Sequence, residues 1–139
     1  MRLSTLITRR EHHMMLDVTI DGVGTVKAVI DKENSATVDA LEEALPIESK
    51  VNRWGDEIYF YVDFDAPVEE DARSEMNVGE IAYWPNGPAI AIFFGPTPAS
   101  TGAEPVAASD CNVIGRIEVS PDLLQKARSG AKIRIEKSD

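Results

Sequence analysis

The sequence is short of the residues that most often carry chemistry. One cysteine, Cys111, stands among 139 residues. A lone thiol excludes an internal disulfide framework and any cysteine-rich zinc site. It suits a reducing, cytoplasmic setting. No basic neighbour in sequence lowers its pKa, so Cys111 reads as an inert small residue rather than a nucleophile. The two histidines are His12 and His13. Adjacent side chains on an extended segment point to opposite sides, which is poor geometry for a shared metal, and both read as solvated. Ser-His or Cys-His catalysis would have only this N-terminal stretch to draw on. No apolar run approaches the ~20 residues that span a bilayer. The first residues lack the apolar core and small-residue cleavage site of a signal peptide. They read as an extension over residues 1–13 ahead of a domain over 14–139, with Met14 or Met15 as candidate starts.

Positive charge is also scarce. Lys and Arg total 14 against 24 Asp and Glu, for a net charge of −10. A nucleic-acid surface needs clustered basic residues, and so does anionic lipid, so neither is an expected partner. The excess favours solubility and would suit a cationic partner. Much of it lies between Asp63 and Glu75, which reads as a solvated loop. Cofactor motifs are missing too. Gly95-Pro96-Thr97-Pro98 lacks the Lys-Ser/Thr ending of a phosphate loop. Gly22-Val23-Gly24 lacks the third glycine and the helix of a dinucleotide site. No serine has a Gly-x-Ser-x-Gly setting. No cofactor and no metal are expected.

What the chain does hold is strand pattern. Met15–Ile20 alternates, Asp21-Gly22-Val23-Gly24 has turn chemistry, and Thr25–Ile30 reads as the returning strand. Ser35–Leu45 changes period. Asn34 or Ser35 can cap it, Val38, Leu41 and Leu45 form a stripe, and Pro46 ends it, so a helix is expected. Glu48–Trp54 reads as a strand. Glu57–Asp63 is a stronger one, with Ile58, Phe60 and Val62 on a core face and Glu57, Tyr59 and Tyr61 on the other. Ile81–Trp84 and Ala89–Phe94 follow, the latter apolar on both faces. Gly95–Asp110 reads as a long loop rich in Pro, Gly and small residues, the kind that often carries function. Asn112–Val119 is a strand in which Gly115 marks a bulge or close packing. Ser120, Pro121 and Gly130 bracket a short helix over Pro121–Arg128, and Lys132–Glu136 is the last strand. About eight strands without βα alternation argue for a mainly β domain, and closure into a barrel would remove its edges.

Four segments in series carry a resemblance: Arg53-Trp54-Gly55-Asp56-Glu57-Ile58-Tyr59-Phe60, Val78-Gly79-Glu80-Ile81-Ala82-Tyr83-Trp84-Pro85, Ala91-Ile92-Phe93-Phe94-Gly95-Pro96-Thr97-Pro98 and Asn112-Val113-Ile114-Gly115-Arg116-Ile117. In this order and spacing they look like the cyclophilin-like family of small archaeal and bacterial proteins. The resemblance covers Met15 to Glu136. It implies a closed eight-stranded β-barrel with two flanking helices, distantly related to peptidyl-prolyl isomerases. Ile92-Phe93-Phe94 resembles the strand of their proline pocket, with Ile92 where a glutamine would stand. That correspondence turns Phe94 towards the pocket and Phe93 towards the barrel core. The enzymes' histidine is replaced in the region of Cys111 and Asn112. Their Phe-His-Arg motif is missing, with Arg53 as a substitute cation over a seat of Trp54, Phe60 and Phe94. The resemblance therefore implies a retained pocket without efficient isomerase activity.

Three functions compete. The first is a binding module that takes a proline-containing peptide or a small ligand in an aromatic side cleft. Its aromatic cluster is Trp54, Tyr59, Phe60, Tyr83, Trp84 and Phe94, beside the loop at Thr97; the alternative for Phe60 and Phe93 is barrel core. The second is a prolyl isomerase. The third is a small-molecule enzyme that uses Glu57 with Arg53 or Asn112. A partly buried Glu57 would have a raised pKa and could serve as acid or base. An exposed strand carboxylate paired to Lys or Arg is its plainer alternative. The sequence alone names no reaction.

Overall fold

Alternation dictates the first hairpin. In the computed structural model, which describes residues 13–118 and 120–138, β1 (Met14–Ile20) turns Met14, Leu16, Val18 and Ile20 inward and leaves Met15, Asp17 and Thr19 outside. It pairs with β2 (Gly24–Ile30) from Met14↔Ile30 to Ile20↔Gly24. Gly22 and Gly24 both take positive φ in the turn, a conformation that favours glycine. The helix α1 (Ala36–Ala44) follows. The Ser35 side chain accepts from the Val38 N–H at 3.2 Å and caps it. The residues that α1 buries are Thr37, Val38 and Leu41.

The remaining strands are β3 (Ile47–Lys50), β4 (Asn52–Arg53), β5 (Glu57–Tyr61), β6 (Arg73–Glu75), β7 (Glu80–Trp84), β8 (Ala89–Phe93), β9 (Val106–Ile117) and β10 (Lys132–Lys137). They order as β3-β10-β1-β2-β9-β7-β8-β5-β4, with β6 attached to β9. The sheet thus has ten strands rather than eight, and it does not close into a barrel. The two ends of the order, β3 and β4, are consecutive pieces of one chain. The expected Glu48–Trp54 strand breaks at Val51, whose N–H donates to the Ala131 carbonyl at 2.8 Å. The chain leaves β10 there and joins β5, so no ladder links β3 to β5. A side-chain bond from Ser49 Oγ to the Tyr61 carbonyl, 2.9 Å, spans that gap.

Two strands come from segments that read as loop. The acidic stretch ends in β6, and β9 starts at Val106, six residues before the expected strand. β6 and the first half of β9 pair with each other. They cover the outer face of β7 and β8, so β8 is buried along its whole length. Two cores result. The larger holds Ile58, Phe60, Tyr83, Ile90, Ile92 and Phe94 together with the β1–β2 and β10 residues and Leu124. The smaller, on the opposite face, holds Met76, Ala82, Ala91, Phe93, Ala107 and Cys111. Gly115 meets both earlier expectations. A Cβ there would lie 2.0 Å from the Val29 carbonyl oxygen, and the β7–β9 register slips between Ile81 and Ala82. The second helix is a 3-10 helix over Pro121–Lys126. Residues 1–12, and with them His12 and most of the expected N-terminal extension, lie outside the described residues; His13 is exposed. Among the described residues no helix is long and apolar enough to cross a membrane.

Candidate functional site

Strand alternation puts Glu57 and Tyr59 on the outer face of β5, opposite Ile58 and Phe60. Cross-strand pairing sets Glu57 against Phe93 and Tyr59 against Ala91, so both sit at the margin of the smaller core. Trp54 precedes them in a tight turn, where its N–H donates to the Glu57 carbonyl at 3.0 Å. Gly55 occupies the turn with φ 63°, and a Cβ there would lie 2.9 Å from both Pro98 Cδ and Thr97 Cα. Only glycine lets this turn pack on the 94–105 loop. Asp56 N–H donates to the Pro96 carbonyl at 2.9 Å and the Phe94 N–H donates to the Asp56 carbonyl at 2.8 Å.

The loop is tied in turn to β9. Thr97 Oγ1 donates to the Val106 carbonyl at 2.5 Å, and the Thr97 N–H donates to Ser100 Oγ at 2.9 Å. β9 then lays Ala107, Ala108 and Cys111 over the outer face. Trp84, at the end of β7, donates its indole N–H to Ser109 Oγ at 2.7 Å. The result is a cleft of about 180 Å³ lined by Trp54, Glu57, Tyr59, Trp84, Ala107, Ala108 and Cys111. Tyr59 and Trp84 meet nearly edge to face, with centroids 6.3 Å apart and planes at 73°. Their rings form a corner.

Glu57 is the unusual member. It is 7% exposed, and its Oε1 is buried with no hydrogen-bond partner among the described residues. The plainer reading of an exposed, paired strand carboxylate therefore fails. Burial alone pushes its carboxyl up to about 8, because the charged form has lost water and gained nothing in return. The Cys111 thiol is pushed up to about 12 by burial and by the charges of Glu57 and Asp110, so it stays a protonated, inert thiol. Among the described residues no group of three or more His, Cys, Asp or Glu could hold a metal ion.

The architecture fits one family. The family described as Cyclophilin-like matches residues 14–136. The chain belongs to the cyclophilin-like family. A hypothetical protein from Archaeoglobus fulgidus with a solution structure is similar to it at 37% identity, over 91% of this chain and 95% of that one, with a TM-score of 0.76. No curated protein matches the chain.

Within this cyclophilin-like fold the residues singled out by sequence part company. Trp54 and Glu57 share the cleft. Arg53 points elsewhere: its guanidinium donates to the carbonyls of Gly55 (2.9 Å), Gln125 (3.3 Å) and Ala127 (3.0 Å) and lies over the Phe94 ring, 5.0 Å from its centroid. Phe60 and Ile92 are core. Tyr83 is core too, and its hydroxyl donates to the Phe64 carbonyl and accepts from the Ala66 N–H. Phe93 and Phe94 are reversed from expectation. Phe94 belongs to the larger core and Phe93 to the smaller one beside the cleft. The register explains this. Ile58 faces Ile92 and Phe60 faces Ile90, so Phe94 must share the side of Phe60.

Thr97 staples the loop rather than lining the cleft. Asn112 is fully buried. Its amide donates to Thr37 Oγ1 (3.0 Å) and the Pro67 carbonyl (2.9 Å), and its oxygen accepts from the Glu69 N–H (2.9 Å). It fastens the acidic segment to α1. Sequence reasoning missed Cys111, Ala107 and Ala108 as cleft lining. The available signal was the aromatic distribution: all nine Phe, Trp and Tyr residues lie between positions 54 and 94, so a small-residue segment had to cover them.

Proposed function

We propose that this chain is a binding module that takes a small ligand, or a single side chain of a peptide, in the cleft between β5, β7 and β9. The observation that carries this reading is Glu57. A buried carboxyl without a partner costs the fold free energy, and here it sits in an open aromatic recess. A cleft of about 180 Å³ is below the ~300–1,000 Å³ of pockets for drug-sized ligands. It suits a fragment or a chain end. The isomerase reading has less support, because Arg53 is committed to backbone carbonyls and to Asp56, and two of the three residues of its proposed seat, Phe60 and Phe94, are buried core while only Trp54 lines the cleft. A second reading keeps Glu57 as an acid or base, because a carboxyl near 8 is poised close to neutral pH.

The test is a fragment screen read by tryptophan fluorescence and thermal unfolding. Trp54 and Trp84 both line the cleft, so an occupant should shift the emission and raise the melting temperature, and Glu57→Gln or Trp54→Leu should weaken the effect. Fragments that stabilise the protein equally in both variants would place binding elsewhere and sink the proposal. Should a turnover reaction be found, its loss in folded Glu57→Gln would favour the acid or base role.

A further inference from the structure

Two other half-buried glutamates of this protein have cations of their own. Glu69 pairs with Lys32 at 2.8 Å. Glu80 pairs with Arg73 at 2.7 Å. Glu57 is more buried than either, and among the described residues neither its own strand nor those around it brings a cation. β8 offers Phe93 and Ala91, β7 offers Ala82 and Trp84, and β6 turns Arg73 to Glu80. Arg53, four residues away, is held over Phe94. The Trp84 indole N–H, a neutral donor within the same cleft, is taken by Ser109. Trp54, Tyr59 and Trp84 line the same cleft as Glu57. Aromatic faces attract cations, and the attraction grows once water is excluded.

We propose that the cleft recognises an alkylated ammonium group, seated against Trp54, Tyr59 and Trp84 with the Glu57 carboxylate as its counter-ion. The inference rests on the binding-module reading above. A primary ammonium is a poorer fit, because its three donors need three acceptors and the lining is mostly carbon and sulfur. Alkylation removes those donors and lowers the cost of leaving water. The overall charge of −10 assists the approach of a cation.

Binding must ionise Glu57, whose proton passes to solvent, so affinity is linked to pH. Other titratable groups beside it are Tyr59 on β5 and Cys111 on β9. The Tyr59 hydroxyl is pushed up by burial and by Tyr61, and the Cys111 thiol is pushed to about 12. Both stay neutral through the range where Glu57 titrates. Asp110 lies on the exposed side of β9 and already acts as a charge on Cys111.

Tetramethylammonium chloride, titrated into the intact protein at constant ionic strength, tests this. Its affinity should rise roughly tenfold per pH unit up to about pH 8 and level off above it. Glu57→Gln should flatten that slope and weaken binding at least about tenfold near pH 9. Trp54→Leu should weaken binding about fivefold, keeping the slope. Choline and N-acetyl-trimethyllysine methylamide distinguish a free ligand from a peptide side chain. Preference for the neutral isostere tert-butanol, or a pH-independent affinity, overturns the ammonium assignment and leaves the small-ligand reading intact. Absence of any cleft ligand in the fragment screen removes both. Melting temperatures of the variants confirm that each is folded.

Discussion

Glu57 and Glu69 are the same acid, both largely shielded from water, and their carboxyls are shifted in opposite directions from the ordinary value. Burial pushes Glu57 up to about 8. Burial also acts to raise Glu69, but hydrogen bonds from Lys32, Thr37 and Ser35 and the Lys32 charge bring it down to about 2. Ser35 Oγ donates at 2.7 Å and Thr37 Oγ1 at 2.6 Å. Glu69 lies in a segment that Asn112 fastens to α1, and both of its carboxylate oxygens are met, Oε2 by Ser35 and Thr37 and Oε1 by Lys32. Glu57 lies in a recess whose walls are rings and methyl groups. Desolvation sets the cost in both places, and the partners decide whether it is repaid within the fold. A region that satisfies itself is a staple. A region that does not is open to a ligand.

The largest separation between the two should come from pH. A carboxyl whose folded pKa is raised above the unfolded value of 4.5 stabilises fully below that value, and the contribution is lost as pH climbs through about 8. At ~1.4 kcal/mol per unit, wild type should lose a few kcal/mol between pH ~5 and ~9 on this account. Glu57→Gln should match wild type near pH 5 and exceed it near pH 9 by about 3 kcal/mol. Urea unfolding at the two pH values measures this. Equal slopes for both proteins would mean that water reaches Glu57.

Asn112 tests the satisfied region next. Asn112→Ala strips partners from the Glu69 N–H, the Pro67 carbonyl and Thr37 Oγ1 at once. Each lost bond costs about 1 kcal/mol, with more when the orphan stays buried. A loss of about 3 kcal/mol in urea unfolding is expected, with no change in cleft ligand affinity. Altered affinity with intact stability would give Asn112 the binding role that its position in sequence suggested.

How far these regions were legible in sequence follows from the kind of signal each leaves. The β1–β2 hairpin and α1 advertise themselves through alternation, turn glycines and a serine cap, and they stand where expected. The second half of β9 does so too. Its first half, Val106 to Cys111, has at its centre alanine, serine and aspartate, which carry little strand propensity; pairing with β6 and the need to cover Phe93 make it a strand. β6 was hidden for the same reason, inside acidic charge. Glu57 could be picked out because β5 separates its faces so cleanly, and Trp54 because it stands in the turn just before that strand. Arg53, Phe94 and Asn112 could not be excluded without register and long-range contacts, since their partners lie on β8, the 3-10 helix and α1. Failure of the sheet to close turns on a single residue, Val51, where the chain changes neighbours, and no local pattern marks that step.

The smallest effect belongs to Glu69 itself. Glu69→Gln keeps an oxygen that can accept from Ser35 and Thr37 but removes the charge that Lys32 meets. Its folded pKa is depressed to about 2, so its contribution is present above about 4.5 and disappears as pH falls through about 2. The variant should therefore lose stability at neutral pH and converge on wild type in acid. Lys32 is partly exposed and also contacts Asp71 at 2.6 Å, so solvent and a second carboxylate blunt the loss to about 2 kcal/mol. Glu57→Gln runs the other way, converging in acid and gaining stability in alkali. Opposite signs from one chemical change on two glutamates of the same domain would tie each carboxyl to its surroundings rather than to burial. If instead Glu69→Gln were neutral across pH, Lys32 and Asp71 would already suffice as the staple.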